Sequence, residues 1–138
     1  MDELLKKMNF KAGMRIGLVA VPDEMKDWVE SWKQRDLVAN DMAEADFFLA
    51  FVQSEKDIET SFQTIQPFIR KDQVFWMAYP KGSSKKYQVR INRDKGWQVL
   101  GDHGFEGVRQ VSLDGDWSAL RFRHIDFIKI LTRKNRMT

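Results

Sequence analysis

The stretch Ile16-Gly17-Leu18-Val19-Ala20-Val21-Pro22-Asp23-Glu24 decides the fold. Its apolar part, from Arg15 to Val21, reads as a strand with few polar interruptions. Pro22-Asp23-Glu24 then leads into a helix. In α/β folds that hold a dinucleotide, the turn after the first strand carries glycines, so that backbone N–H groups can approach the ligand. Here the turn holds a proline, which has no N–H, and two carboxylates, which repel an anion. After Gly17 the next glycine is Gly82. The layout predicts a nucleotide-binding type of fold that lacks its usual ligand loop.

Working outward, Asp23 is placed to cap the following helix. That helix carries Met25, Trp28, Val29 and Trp32 on one face, at the spacing of a buried stripe. Residues 2–8 read as a short helix before the strand. Leu37-Val38-Ala39 is a short strand candidate. Phe47 to Val52 is a continuous apolar run, the pattern of a strand buried on both faces of a parallel sheet. Val74 to Tyr79 is a second such run. Between them Ser54 and Asp57 resemble a capping box. The helix they start shows Ile58, Phe62, Ile65 and Ile69 on one face, and Pro67 is expected to kink or end it near its last turn.

Asn92 is expected to cap a short helix that buries Trp97 and Leu100. The periodicity then changes to alternation over Val108–Leu113 and Trp117–Arg123, with Gly115 between. This predicts an antiparallel hairpin at a sheet edge. Ile125 to Leu131 is expected to form a last helix. The whole reads as one α/β domain over 1–138, a three-layer Rossmann-like sheet, mostly parallel, closed by a C-terminal antiparallel hairpin. A basic tail at about 132–138 is expected to lie outside the ordered part.

Composition narrows the function classes. The 138 residues contain no cysteine and two histidines, His103 and His124. Disulfides, thiol nucleophiles and thiolate metal sites are excluded, and a histidine-rich metal site is not expected. No apolar run is long enough to span a membrane. The N-terminus lacks a signal-peptide pattern, and the expected setting is cytoplasmic. Charge is uneven. Residues 1–60 carry 8 basic and 13 acidic groups, whereas residues 61–138 carry 15 basic and 7 acidic. The basic half reads either as a solvated face or as a surface for an anionic small molecule or nucleic acid.

Several segments carry a resemblance: Phe75-Trp76-Met77-Ala78-Tyr79-Pro80-Lys81-Gly82-Ser83-Ser84-Lys85-Lys86-Tyr87, Asn92-Arg93-Asp94-Lys95-Gly96-Trp97, Gly104 to Val111, and Asp116 to Arg123. The chain resembles a bacterial family of small domains of unknown function whose members look like methyltransferase-type Rossmann sheets. The match is densest over about 46–134. It implies the fold and supplies no catalytic residues.

The candidate ligand surface is the loop after the Val74–Tyr79 strand. In open α/β sheets ligands bind beyond the carboxyl ends of the strands. Lys81 and Lys85 offer charge there, Ser83 and Ser84 offer hydroxyls, and Arg93 offers a guanidinium for a carboxylate or phosphate. The competing reading is an exposed polar crossover. Arg93 and Asp94 are read as opening the short helix. Tyr79 and Tyr87 flank the loop as the one pair able to stack on bases. Asp41, after the weak strand, is the acid that would meet ribose hydroxyls if S-adenosylmethionine were bound. Ser118, His124 and Asp126 are not expected to converge into a triad. The leading expectation is a non-catalytic or unassigned binding domain with a degenerate cofactor site and no bound cofactor. The alternatives are a divergent S-adenosylmethionine-dependent methyltransferase and a nucleic-acid-binding accessory protein.

Overall fold

A computed structural model describes residues 3–88 and 90–128. Five strands form one sheet: β1 Ile16–Val19, β2 Phe47–Phe51, β3 Val74–Pro80, β4 Phe105–Ser112 and β5 Trp117–His124. The strand order is β1-β2-β3-β5-β4. β1, β2 and β3 are mutually parallel. β5 is antiparallel to both β3 and β4, so β5 alone runs against the rest. The predicted hairpin is therefore present. β4 starts at Phe105, earlier than the alternation suggests, because a bulge between Gly107 and Arg109 interrupts its period.

Side-chain alternation divides the core. Phe47, Leu49, Phe51, Trp76 and Ala78 join one buried cluster; Phe48, Ala50, Phe75, Met77 and Tyr79 join the other. Helices α1 Glu3–Lys7 and α2 Lys26–Gln34 pack into the first through Leu5, Val29 and Trp32. Helices α3 Glu55–Ile65 and α4 Gln98–Asp102 pack into the second through Ile58, Phe62, Ile65 and Leu100. β2 and β3 are buried along their whole length, as their continuous apolar runs require. The Trp76 indole N–H donates to the Met8 carbonyl at 2.9 Å and ties the end of α1 to the central strand.

Local expectations fare unevenly. Ser54 caps α3 by accepting from the Asp57 N–H, and Asp57 accepts from the Gln53 N–H. α3 stops at Ile65, where Pro67 enters a short 3-10 turn. Val38 makes a single parallel bridge to Ile16, so the weak strand is reduced to one contact beside β1. Asp23 does not cap α2. The chain enters through a 3-10 turn at Asp23–Met25, and the Asp23 carboxylate pairs with Lys26 at 2.8 Å instead. Asn92 does not cap α4 either. Its side chain accepts from the Asp94 N–H two residues on, its backbone bridges to Lys95, and α4 begins after Trp97. Asn92 fails because a short polar side chain satisfies a tight turn as readily as a helix start, and Asp23 because Lys26 takes its carboxylate. Trp28 is only partly buried and lines a surface hollow with Leu4 and Trp32. The last helix is replaced over Ile125–Phe127 by a 3-10 turn. Ile128 is extended, and residues 129–131 and the tail at 132–138 lie outside the described residues.

Candidate functional site

The carboxyl ends of β1, β2 and β3 open on one edge of the sheet, joined there by Trp117 at the start of β5, which pairs with Pro80. The segment 81–97 leaves β3 and straps this edge. Its Tyr87 reaches the turn after β1, and its Gln88 and Arg90 share a polar hollow with Gln53, Ser54 and Asp57 beyond β2. Ile91 and Trp97 then bury themselves in the second cluster. Gly96, at φ +108°, permits that descent. A Cβ on it would lie 2.5 Å from the Cγ2 of Ile91.

Glu24 is the centre of the strapped edge. Its carboxylate accepts from the Tyr87 hydroxyl at 2.6 and 2.7 Å and from the Trp117 indole N–H at 3.2 Å. Lys86 pairs with it at 3.3 Å. The Glu24 side chain is 22% exposed. Burial alone would raise its pKa, but the hydrogen bonds from Tyr87, Trp117 and Lys86 together hold it below the ordinary glutamate value. The Tyr87 hydroxyl is pushed up to about 12, first by burial and then by its hydrogen bond to Glu24. The Tyr87 ring meets Trp117 edge-on at 5.0 Å, and Trp117 meets Phe51 edge-on at 5.4 Å. Trp117 is fully buried and is a core anchor, not the wall of an open cleft. Just before this turn Ala20 adopts φ +58°, the left-handed region that glycine occupies freely and alanine does not. The backbone keeps a glycine-type turn without the glycine.

A cleft of about 540 Å³ lies beside this turn, bounded by Gly17, Leu18, Val21, α2 and the segment 38–42. Asp41 lines it. Its carboxylate accepts from the Ala43 N–H at 2.8 Å, so one oxygen already caps the turn that follows. Lys26, Glu30 and Lys33 of α2 stand on the wall. Gly17 lets the 42–45 turn pack close: a Cβ there would come within 2.9 Å of the Ala45 Cβ.

The residues proposed from sequence are divided between structural and free roles. Ser84 is used internally. It donates to the Asp116 carboxylate at 2.9 Å and accepts from the N–H groups of Lys86 and Tyr87. Lys81 donates its ammonium to the Ser112 hydroxyl at 2.6 Å. Ser83, Lys85 and Arg93 are exposed. Arg93 and Asp94 sit in the Asn92–Lys95 turn and do not open α4. The two tyrosines do not form a stacking platform. Tyr79 is buried, accepts from the Gln110 amide and packs on Trp97, while Tyr87 is turned onto Trp117. Ser118 is buried near the start of β5 and His124 ends that strand, about 20 Å further along, so no triad forms. Among the described residues no group of three or more His, Cys, Asp or Glu could hold a metal ion. No helix among them is long and apolar enough to cross a membrane.

The residues that sequence reading missed are Glu24 as a hub and Tyr87 as its donor. They lie 63 positions apart, and Trp117 lies 93 positions from Glu24, so no local spacing links them.

No protein-family model matches the chain, and no curated protein matches it significantly. Solved structures are similar in fold. One is described as a protein in the NADB-Rossmann superfamily from Streptococcus agalactiae; it aligns at 13% identity and TM-score 0.51, over 90% of this chain and 68% of that one. Another, a fibrillarin/Nop5p complex, aligns at 10% identity and TM-score 0.47, over 83% of this chain and 63% of that one. The chain has a Rossmann-like α/β fold.

Proposed function

We propose that the protein is a non-catalytic binding domain on a three-layer, methyltransferase-type sheet whose cofactor site has been closed by its own chain. One observation carries this reading: the Glu24 carboxylate, in the turn where a cofactor's anionic end would need free N–H groups, is engaged by Tyr87, Trp117 and Lys86. Pro22 and the left-handed Ala20 in the same turn support it. The ligand of this reading is an anionic group held by the exposed Lys85, Ser83 and Arg93, with Lys81 beside them and Ser84 fixing the loop. The protein acts in the cytoplasm under this reading.

A second reading is favoured by the cleft at Asp41. There a divergent methyltransferase would place the ribose of S-adenosylmethionine against Asp41, and transfer would rest on positioning. A calorimetric titration with S-adenosylmethionine and S-adenosylhomocysteine separates the two. The expected result is no saturable binding at millimolar ligand. Saturable binding that Asp41→Ala abolishes would put the methyltransferase first. A ligand at a hundred times its Kd adds about 2.7 kcal/mol to stability, so a thermal shift provides the check. The anion site is tested with inorganic phosphate: the Lys85→Ala/Arg93→Ala double variant should be stabilised less than the unaltered chain.

A further inference from the structure

Arg109 on β4 and Arg121 on β5 stand directly opposite one another in the antiparallel ladder. The bulge at Val108 produces this. Without the extra residue Arg109 would fall on the other face; with it, Arg109 shares the face of Val111, Ala119 and Arg121. Like charges directly opposite across two strands destabilise a sheet. Among the described residues neither arginine makes a side-chain hydrogen bond or a close ion pair, although the charge of Asp72 favours Arg121. Arg121 is half-buried, and its Nε is wholly buried without an acceptor. The neighbouring Arg123 is different. It makes a two-point pair with Asp72 and a further bond to the Phe127 carbonyl, so both Asp72 oxygens are already engaged.

A buried guanidinium N–H with no acceptor costs the empty fold stability. Burial and then the charges of Arg123 and Arg109 lower the Arg121 pKa, with Asp72 opposing them. Two guanidinium groups paired across the ladder on one face offer the planar donors that match the oxygens of a phosphate group. We propose that Arg109 and Arg121 form an oxyanion site that takes a phosphate group, carried either by a small polyphosphate or by the backbone of a single-stranded nucleic acid. The site lies four residues, about 13 Å, along β5 from Trp117 at the strapped edge, and it does not depend on the Lys81–Arg93 loop.

The test uses the full chain and two probes, pyrophosphate and a fluorescent single-stranded oligonucleotide. Arg109→Ala and Arg121→Met should each weaken binding at least tenfold, whereas Lys85→Ala/Arg93→Ala should leave this response in place. Arg121→Met should also raise the Tm of the free protein by about 2–4 °C, because it removes a guanidinium N–H that is buried without an acceptor. An arginine retained for structure would lower it on removal. Binding of pyrophosphate alone identifies the small-anion source. Oligonucleotide binding that falls steeply with salt identifies the polymer. The proposal is overturned if neither probe binds, if both variants bind within twofold of the unaltered chain, or if Arg121→Met lowers the Tm.

Discussion

Glu24 and Tyr87 show how one carboxylate can hold a loop in place. Glu24 keeps its charge because three donors favour the ionised form over the penalty of partial burial. Its pKa is depressed in the fold. Its stabilising contribution is therefore fully present above the ordinary value of 4.5 and is lost as pH falls through the lower folded value. Tyr87 is shifted the other way. Its contribution is present below pH 10 and is lost as pH rises from there through about 12. Replacing Tyr87 by Phe should cost about 1–2 kcal/mol at pH 7, since the hydroxyl serves a partly buried carboxylate. Urea melts across pH should show the variant losing less stability than the unaltered chain between pH 10 and 12. Equal alkaline losses in both would remove Tyr87 from this role.

At the scale of the element, the strap 81–97 depends on Gly96. A Cβ there strikes Ile91, a buried side chain, and the backbone sits at φ +108°. Gly96→Ala should therefore destabilise the protein by about 2 kcal/mol or more. Chemical denaturation measures it, and a change under 0.5 kcal/mol would mean that the strap shifts freely. The elements also show what was legible in the sequence. β2 and β3 were readable because burial on both faces writes a continuous apolar run into five or more residues. The hairpin was readable through its alternation and Gly115. The strap was not, since its anchors, Tyr87 on Glu24 and Ile91 under Gly96, have no periodicity. Asn92 misled because its side chain satisfies a turn with the same atom that caps a helix, and Asp23 because its carboxylate pairs with Lys26. Of the proposed site residues, Lys85, Ser83 and Arg93 remain exposed, while Ser84 and Lys81 proved to be tied to neighbours that no spacing reveals. Asp41 is placed by the order of strands, and it lines the cleft beside the first strand's turn.

For the whole molecule, the question is whether the strapped edge opens apart from the sheet. β2 and β3 have strand neighbours on both sides and bury every residue, so their amides should exchange with solvent only through global unfolding. The strap is held differently. The Tyr87 N–H is bonded to the Ser84 hydroxyl within the loop, and the contact with the first strand's turn runs through the side chains of Glu24, Tyr87 and Lys86. Such an arrangement can release without breaking a sheet hydrogen bond. Amide exchange in low denaturant should show Leu49 and Trp76 following the global unfolding free energy, while Lys86 and Tyr87 exchange through a smaller opening insensitive to denaturant. Acid should enlarge that opening as Glu24 protonates, because the same carboxylate anchors all three donors. Strap amides as protected as Trp76 would make the segment part of the cooperative core, and a ligand could then reach the edge only in the unfolded chain. Local opening would instead mean that the closed edge is a reversible state of the fold, controlled by one glutamate in a turn that carries no glycine.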